Sequence, residues 1–231
     1  MEITKDAFEF LIGFYEKDAK VDYKKIYRDA YGNECNDYSF EKSLCQWASN
    51  KAYRDVCRTI KFVNNEGADI QKIRMRKRIE VTNIIYDKLK ELSTDINYDA
   101  WHKETCEEIQ EYYKDFVRYK DGVDTLYIGQ VQKWLNMTIK WLWIYNRVYA
   151  IDFFKPILER ESELHIPLDS FIIKYLKNEY KIQITSSEWS RINDYKNIYL
   201  EYQKQLRNKL QNEIPIEWEL IHWKKALNTD K

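Results

Sequence analysis

The chain has 231 residues, 44% hydrophobic and 16% aromatic, enough to bury a substantial core and too apolar for a disordered chain. Its 38 basic and 38 acidic residues cancel, which excludes a bulk polyelectrolyte such as a histone-like protein or a polybasic membrane binder; only local patches can hold phosphate. With 5 glycines and 3 prolines, a turn-rich β-sandwich or a Gly-loop nucleotide fold is disfavoured as well.

In chain order, residues 1–20 carry acids in the first turn and no basic segment followed by an apolar run, so no secretory leader is expected. Phe8, Leu11, Ile12 and Tyr15 recur at three and four residues, which predicts a first helix. A short helix over residues 23–31 closes at Gly32 and Asn33. Ser39 is placed to cap the next helix, which carries Leu44, Trp47 and Ala48 and runs to about Phe62, before Asn64, Asn65 and Gly67. Helices follow over residues 68–92, 99–119 and 128–149, with a break at Asp121 and Gly122. After Pro156 the chain reads as polar and turns irregular near His165. Pro167, Asp169 and Ser170 then open a helix to about Lys177. Residues 181–185 alternate briefly in the strand sense, and helices over 193–211 and 215–227 complete the chain. The pattern predicts an all-α fold, a single compact multi-helix domain over residues 1–231 around a central apolar helix, with a soft division into 1–121 and 122–231.

The most apolar stretch, residues 141–145, is flanked by Lys140, Asn146 and Arg147 and falls far short of the ~20 residues a bilayer span requires. A cytoplasmic protein without membrane partners is expected. Cys35, Cys45, Cys57 and Cys106 form no C-x-x-C pair, which predicts reduced thiols acting as small hydrophobes. No metal and no cofactor is expected.

The helix over residues 128–149 carries the most information. At about 100° per residue, Lys133, Asn136, Lys140 and Arg147 fall in a sector of roughly 60°, which Gln132 widens to roughly 100°. Val131, Trp134, Leu135, Ile139, Trp141, Leu142 and Ile144 occupy the remaining circumference. An axis this apolar is normally buried, and unpaired lysines inside it would cost several kcal/mol each. The stripe must therefore face water, a cleft or acidic partners. Trp143 shares the stripe, where burial in the core would not explain it. As a cleft, Lys133, Lys140, Arg147 and Trp143 could hold an anion or stack a base; as a solvated strip they would hold nothing.

These residues resemble a family of uncharacterised bacterial proteins whose members read G-x-A-Q-K-x-x-N-M-x-x-K-Y-L, then H-x-P-[LI]-D, then W-S before a Tyr/Gln-rich helix, then P-x-x-x-E-x-x-x-W. The chain has Gly129, Gln132, Lys133, Asn136, Met137 and Lys140, then His165, Pro167 and Asp169, Trp189 and Ser190, and Pro215, Glu219 and Trp223. It departs at Val131, where the family has a small residue, and at Trp141, where the family has Tyr. The likeness spans residues 127–223 and implies a shared fold without an activity. A second likeness is to helical DNA glycosylases of the 8-oxoguanine type, which place a lysine nucleophile against an aspartate at a helix start. It implies Lys133 as nucleophile and Asp169 as the acid, although the Gly-rich hairpin of those enzymes is missing. Against it, Asp169 also fits an ordinary N-cap and Lys133 an ordinary ion pair.

Three further constellations have plain alternatives. Arg160 and His165 stand at the R-x4-H spacing that resembles helical HEPN ribonucleases, but Pro167 disturbs that setting. Glu104, Glu107, Glu108 and Glu111 align on one face near His102 and Cys106, without the second E-x-x-H that a di-metal site needs. Lys72, Arg74, Arg76, Lys77 and Arg78 form the densest basic run but point round most of a helix, so only a subset, such as Lys72 and Arg76, could touch one phosphate surface.

The leading expectation is an accessory module that binds nucleic acid or another anion through Gln132, Asn136, Lys140, Trp143 and Arg147, aided by Lys72 and Arg76. Association with mobile elements or phage defence is implied only loosely. The alternatives are a glycosylase-like enzyme using Lys133 and Asp169, and a module for protein–protein or homo-oligomeric assembly through its Tyr and Trp residues.

Overall fold

The computed structural model describes residues 40–63, 69–149, 152–182, 188–211 and 213–228. They hold eight α-helices and no strand, so the all-α expectation stands. The helices are α1 (Phe40–Val56), α2 (Ile70–Glu91), α3 (Tyr98–Tyr113), α4 (Ile128–Tyr149), α5 (Lys155–Glu159), α6 (Ser170–Glu179), α7 (Leu200–Leu210) and α8 (Pro215–Asn228). None of the described helices is long and apolar enough to cross a membrane. The helices expected around Phe8 and over residues 23–31, the Ser39 cap, Cys35, the break at residues 64–67 and residues 183–185 lie outside the described residues.

Short polar side chains start the helices. Asp69 accepts from the amides of Gln71 and Lys72, Asn97 from Ala100, and Asp169 from Ile172. Asp194 accepts from Asn197 and opens a π-type turn, Tyr195–Tyr199, that leads into α7.

Two helices end earlier than the apolar periodicity predicts. α1 stops at Val56 rather than near Phe62, and α3 stops at Tyr113 rather than at Tyr119. Beyond those ends the chain forms an antiparallel pairing of Phe62 with Val117. Val63 N–H donates to the Phe116 carbonyl at 3.0 Å, and Arg118 N–H to the Lys61 carbonyl at 2.9 Å. Thr59, one turn after α1, has its carbonyl taken by the Gln130 amide at 2.9 Å. Asp115 reverses the chain after α3 with φ 64°, a left-handed conformation that Asp tolerates better than most residues. A side-chain donor and a cross-strand backbone pairing thus outcompete two further helical turns.

α4 is the axis of the core. It packs along α1, and α1, α2 and α3 follow one another around it, with α6 and α8 paired on the other side. Trp134 is fully buried and donates to the Ser49 carbonyl at 3.1 Å, while Trp47 meets the rings of Trp141 and Tyr145 at 5.6 and 4.8 Å. At the start of α4, Gly129 permits a close approach: a Cβ there would lie 1.7 Å from the Trp189 carbonyl oxygen.

The segment from Pro156 to His165 is irregular at its end, as expected, but that end is buried where a polar stretch was expected. Its first turn is α5, and Leu164, His165, Ile166 and Leu168 are fully buried without helical bonds of their own. Buried backbone amides must be satisfied by something, and here side-chain amides do it. Gln203 accepts from Ile166 N–H at 3.0 Å and donates to its carbonyl at 2.9 Å. Gln132 accepts from Leu168 N–H at 3.2 Å and donates to its carbonyl at 3.0 Å. Pro167, between them, has no N–H to satisfy.

Gln203→Leu keeps the volume but strands the N–H of Ile166, whose carbonyl keeps a second donor in Asn136 at 3.1 Å. The expected loss is about 2 kcal/mol, read as a lower urea midpoint at unchanged slope. A loss below about 1 kcal/mol would show that water replaces the amide.

Candidate functional site

The polar stripe of α4 meets acids from other segments at each of its cations. Lys133 Nζ lies 3.2 Å from Asp169 Oδ2 at the start of α6, with both side chains only 12% exposed, and sits 4.6 Å above the Trp189 ring. Lys140 is buried against Glu219 of α8. Arg147 pairs with Glu161, which also accepts from the Trp143 indole N–H at 3.2 Å. Of the three environments the stripe could have had, it has acidic partners. Gln132, Asn136, Lys140 and Trp143, expected to face a ligand, are all buried, and that expectation is corrected. Trp143 is a core residue whose one polar atom finds a carboxylate beside the Arg147 guanidinium, 5.3 Å from its ring.

Lys133 and Asp169 do converge, as the enzyme reading requires. Both, however, are engaged: Asp169 Oδ1 caps Ile172 N–H at 2.9 Å while Oδ2 accepts from Lys133. A nucleophilic amine needs its lone pair free, and Lys133 is held as a donor. Asp55 of α1 completes the cluster. Burial pushes its carboxyl above the ordinary range, against the pull of Lys133 and Lys140. Burial also raises Glu219, with Lys140 pulling it down.

A buried pair of this kind is costly to break and cheap to replace. Lys140→Met alone leaves the Glu219 carboxyl without its cation and is expected to cost about 3–5 kcal/mol. Lys140→Met combined with Glu219→Leu should recover most of that loss in thermal unfolding. Equal destabilisation by the single and double variants would contradict the pairing.

A second polar cluster runs from a partly exposed ion pair into the core. Arg207 grips Asp99 with both terminal nitrogens at 2.9–3.0 Å, and Asp99 Oδ1 lies 2.8 Å from His165 Nε2. Burial raises the Asp99 carboxyl, but the His165 bond and Arg207 outweigh it and hold the group well below the usual carboxylate range. A carboxylate only accepts, so His165 Nε2 carries the proton and Nδ1 accepts from the Tyr199 hydroxyl at 2.9 Å. The Tyr199 oxygen accepts from Asn136 Nδ2 at 2.8 Å, and Asn136 Oδ1 accepts from His102 Nε2 at 2.8 Å. His102 Nδ1 is left without a proton and faces the Tyr195 hydroxyl at 2.9 Å, which also reaches the Asp99 carbonyl at 3.1 Å. One ionised carboxylate thus sets the tautomers of both histidines.

Both rings are fully buried, and burial, the largest cause in each, pushes His165 down to about 4 and His102 well below its ordinary value. In the unfolded chain a histidine titrates near 6.5. Between pH ~6.5 and ~4 the unfolded chain takes up a proton that folded His165 refuses, so stability falls as pH drops, by about 3 kcal/mol from this residue alone. His102 adds in the same direction. Urea midpoints measured from pH 7.5 to 4.5 should decline steadily; a flat profile would contradict buried neutral imidazoles.

The remaining expected groups separate. Arg160 donates to the Ser93 carbonyl and to Glu163, while His165 belongs to the network above, so the R-x4-H pair shares no focus. Glu104, Glu107, Glu108 and Glu111 are exposed, whereas His102 and Cys106 face the core. Among the described residues no group of three or more His, Cys, Asp and Glu side chains could hold a metal ion. Lys72 and Arg76 are exposed, and Lys72 lies 3.4 Å from an exposed Asp69. Lys77 is buried.

Sequence reading missed Asp99, Arg207, Tyr199 and Gln203, whose partners lie tens of residues away, and it missed a second set of cations. Among the described residues, Arg54, Arg58, Lys61, Arg74, Arg76, Arg78 and Arg118 have no carboxylate in ion-pair range. They gather where the end of α1, the first half of α2 and the Phe62–Val117 pairing meet. Arg74 lies 5.1 Å from the Phe62 ring and Arg78 5.8 Å from the Tyr53 ring. Comparison with protein-family models, with curated proteins and with solved structures finds no match for this chain.

Proposed function

We propose that this chain is a non-catalytic helical module that binds nucleic acid, through the cationic end formed by α1, α2 and the Phe62–Val117 pairing. The observation that carries the reading is the contrast between two sets of cations. Those on α4 are each neutralised by a carboxylate, whereas those around Arg74 and Arg78 have none in range among the described residues. Clustered like charges repel one another and weaken the folded state unless an anion uses them.

Arg74 and Arg78 stand four residues apart on α2, so their guanidinium groups are about 6 Å apart along the helix. Ring packing limits their freedom, which lowers the entropy cost when each grips a phosphate. Arg76, further round the same helix, extends the field, whereas Lys72 is matched by Asp69 and adds little to it. Gln132, Asn136, Lys140, Trp143 and Arg147 support the fold that carries this surface and do not touch the ligand.

Fluorescence anisotropy of labelled oligonucleotides across a salt series tests the reading. Affinity should fall linearly with the logarithm of salt concentration. Arg74→Ala with Arg78→Ala should lower the slope by about 0.7–0.9 for each phosphate that is no longer neutralised. Lys133→Met, in the neutralised stripe, should leave the slope unchanged. No binding at low salt, or a slope untouched by the double variant, would reject the reading.

A further inference from the structure

The short pairing that follows α1 and α3 has two sides. In antiparallel pairing, residues directly opposite share a side and successive residues alternate. Phe62 and Val117 are opposite, and Val117 is fully buried, so their side is the inward one. Lys61 then stands opposite Arg118, and Val63 opposite Phe116, on the outward side. The exposures follow this alternation: Lys61, Phe116 and Arg118 are exposed and Val63 is partly so. Like charges directly opposite across a strand pair are destabilising, and among the described residues neither Lys61 nor Arg118 has a carboxylate in range.

Phe116 is 37% exposed, one of few large hydrophobic side chains left in solvent among the described residues. Its backbone is fixed on every side. Phe116 N–H donates to the Tyr113 carbonyl at 3.1 Å, its own carbonyl accepts from Val63, and Asp115 N–H donates to the Asp124 carbonyl at 3.0 Å. The preceding residue, Asp115, takes the left-handed conformation that reverses the chain. Behind the ring, Lys77 Nζ lies 3.4 Å from the centroid and donates to the Tyr112 carbonyl at 2.5 Å. One ring face is therefore occupied by a cation, and the ring is presented to solvent by a turn that cannot retract it.

We propose that this outward side is a platform for single-stranded nucleic acid: Phe116 stacks one unpaired base, and Lys61 and Arg118 hold the phosphates beside it. The inference rests on the nucleic-acid reading above and narrows its substrate. Bases in a duplex are already stacked on one another, and inserting a side chain costs a few kcal/mol of unstacking. A single strand offers a free π-face to a fixed aromatic, and stacking of this kind tolerates any base. The cations alone would suit either form; the exposed ring between them selects the single strand.

The test compares a labelled single strand with the duplex of the same sequence, using the full chain. The unmodified protein should bind the single strand more tightly than the duplex at matched salt. Phe116→Ala should weaken single-strand binding about tenfold at an unchanged salt slope, while Phe116→Trp should keep it. Phe116→Leu, which still covers Lys77 but lacks a π-face, should behave as Phe116→Ala and guards against a variant that merely unfolds. Lys61→Ala with Arg118→Ala should instead lower the slope, by about 0.7 for each phosphate released on a single strand. Duplex preference, or Phe116→Leu binding like the unmodified protein, overturns the platform while the broader reading survives on the Arg74 and Arg78 response. Absence of binding to both strands overturns both.

Discussion

The fold depends on one buried length of chain that is neither helix nor strand. Residues 164–168 pass through the core beside α4, where each backbone amide needs a partner that water cannot supply. Gln132 and Gln203, from two different helices, each present an amide to the carbonyl and N–H of a single residue, as a neighbouring strand would. Asn136 adds a bond to the Ile166 carbonyl at 3.1 Å and passes the network on to Tyr199 and His102. The polar positions of an otherwise apolar helix are thus set by the backbone they must satisfy. His165, held within that segment, links it to Asp99 and so to Arg207.

The same constraint explains why α4 keeps charges. Its stripe is too narrow to be a solvated face and lies inside the molecule, so each cation requires an opposite charge at contact distance. Asp169, Glu161 and Glu219 supply them from the start of α6, the turn after α5 and the middle of α8. A buried ion pair adds little net stability compared with well-packed apolar residues, but a mismatched one is heavily penalised. Each pair therefore argues against wrong packings of α6, α8 and the turn after α5 on α4. Gly129 acts in the same direction, since only the absence of a Cβ lets the Trp189 carbonyl reach the helix.

Periodicity carried the reading of α4, α6 and α8, whose bounds agree with the apolar pattern within about two residues, and Asp169 was readable as a cap. What failed was anything that depended on what stands opposite. A helical wheel places Lys133, Lys140 and Arg147 on one side but is silent on whether water or carboxylate faces them. The ends of α1 and α3 failed for a related reason. Phe62 and Val117 suit an extended pairing as well as a helix, and the partner that decides lies 55 positions away by the numbering. The two histidines were visible as residues, yet nothing near either one in the chain announces their contact, with ring centroids 4.5 Å apart. Residues scattered over positions 127–223 meet in space in the same way: Gln132 on Leu168, Lys133 on Asp169 and Trp189, Lys140 on Glu219.

Zero formal charge over the whole chain says nothing about where the field emerges. Wherever a cation is matched at contact distance, its field is cancelled within a few ångströms, and a screened surface pair reaches little farther than a Debye length. The α4 stripe is matched in this way and is electrically quiet despite its composition. Cations that lack such partners among the described residues project their field, and they gather where two helices are cut short by a pairing with like charges opposed across it. A purely structural pairing would gain from a carboxylate at either position. That both positions are basic instead is the feature of this end on which the proposed anion binding rests.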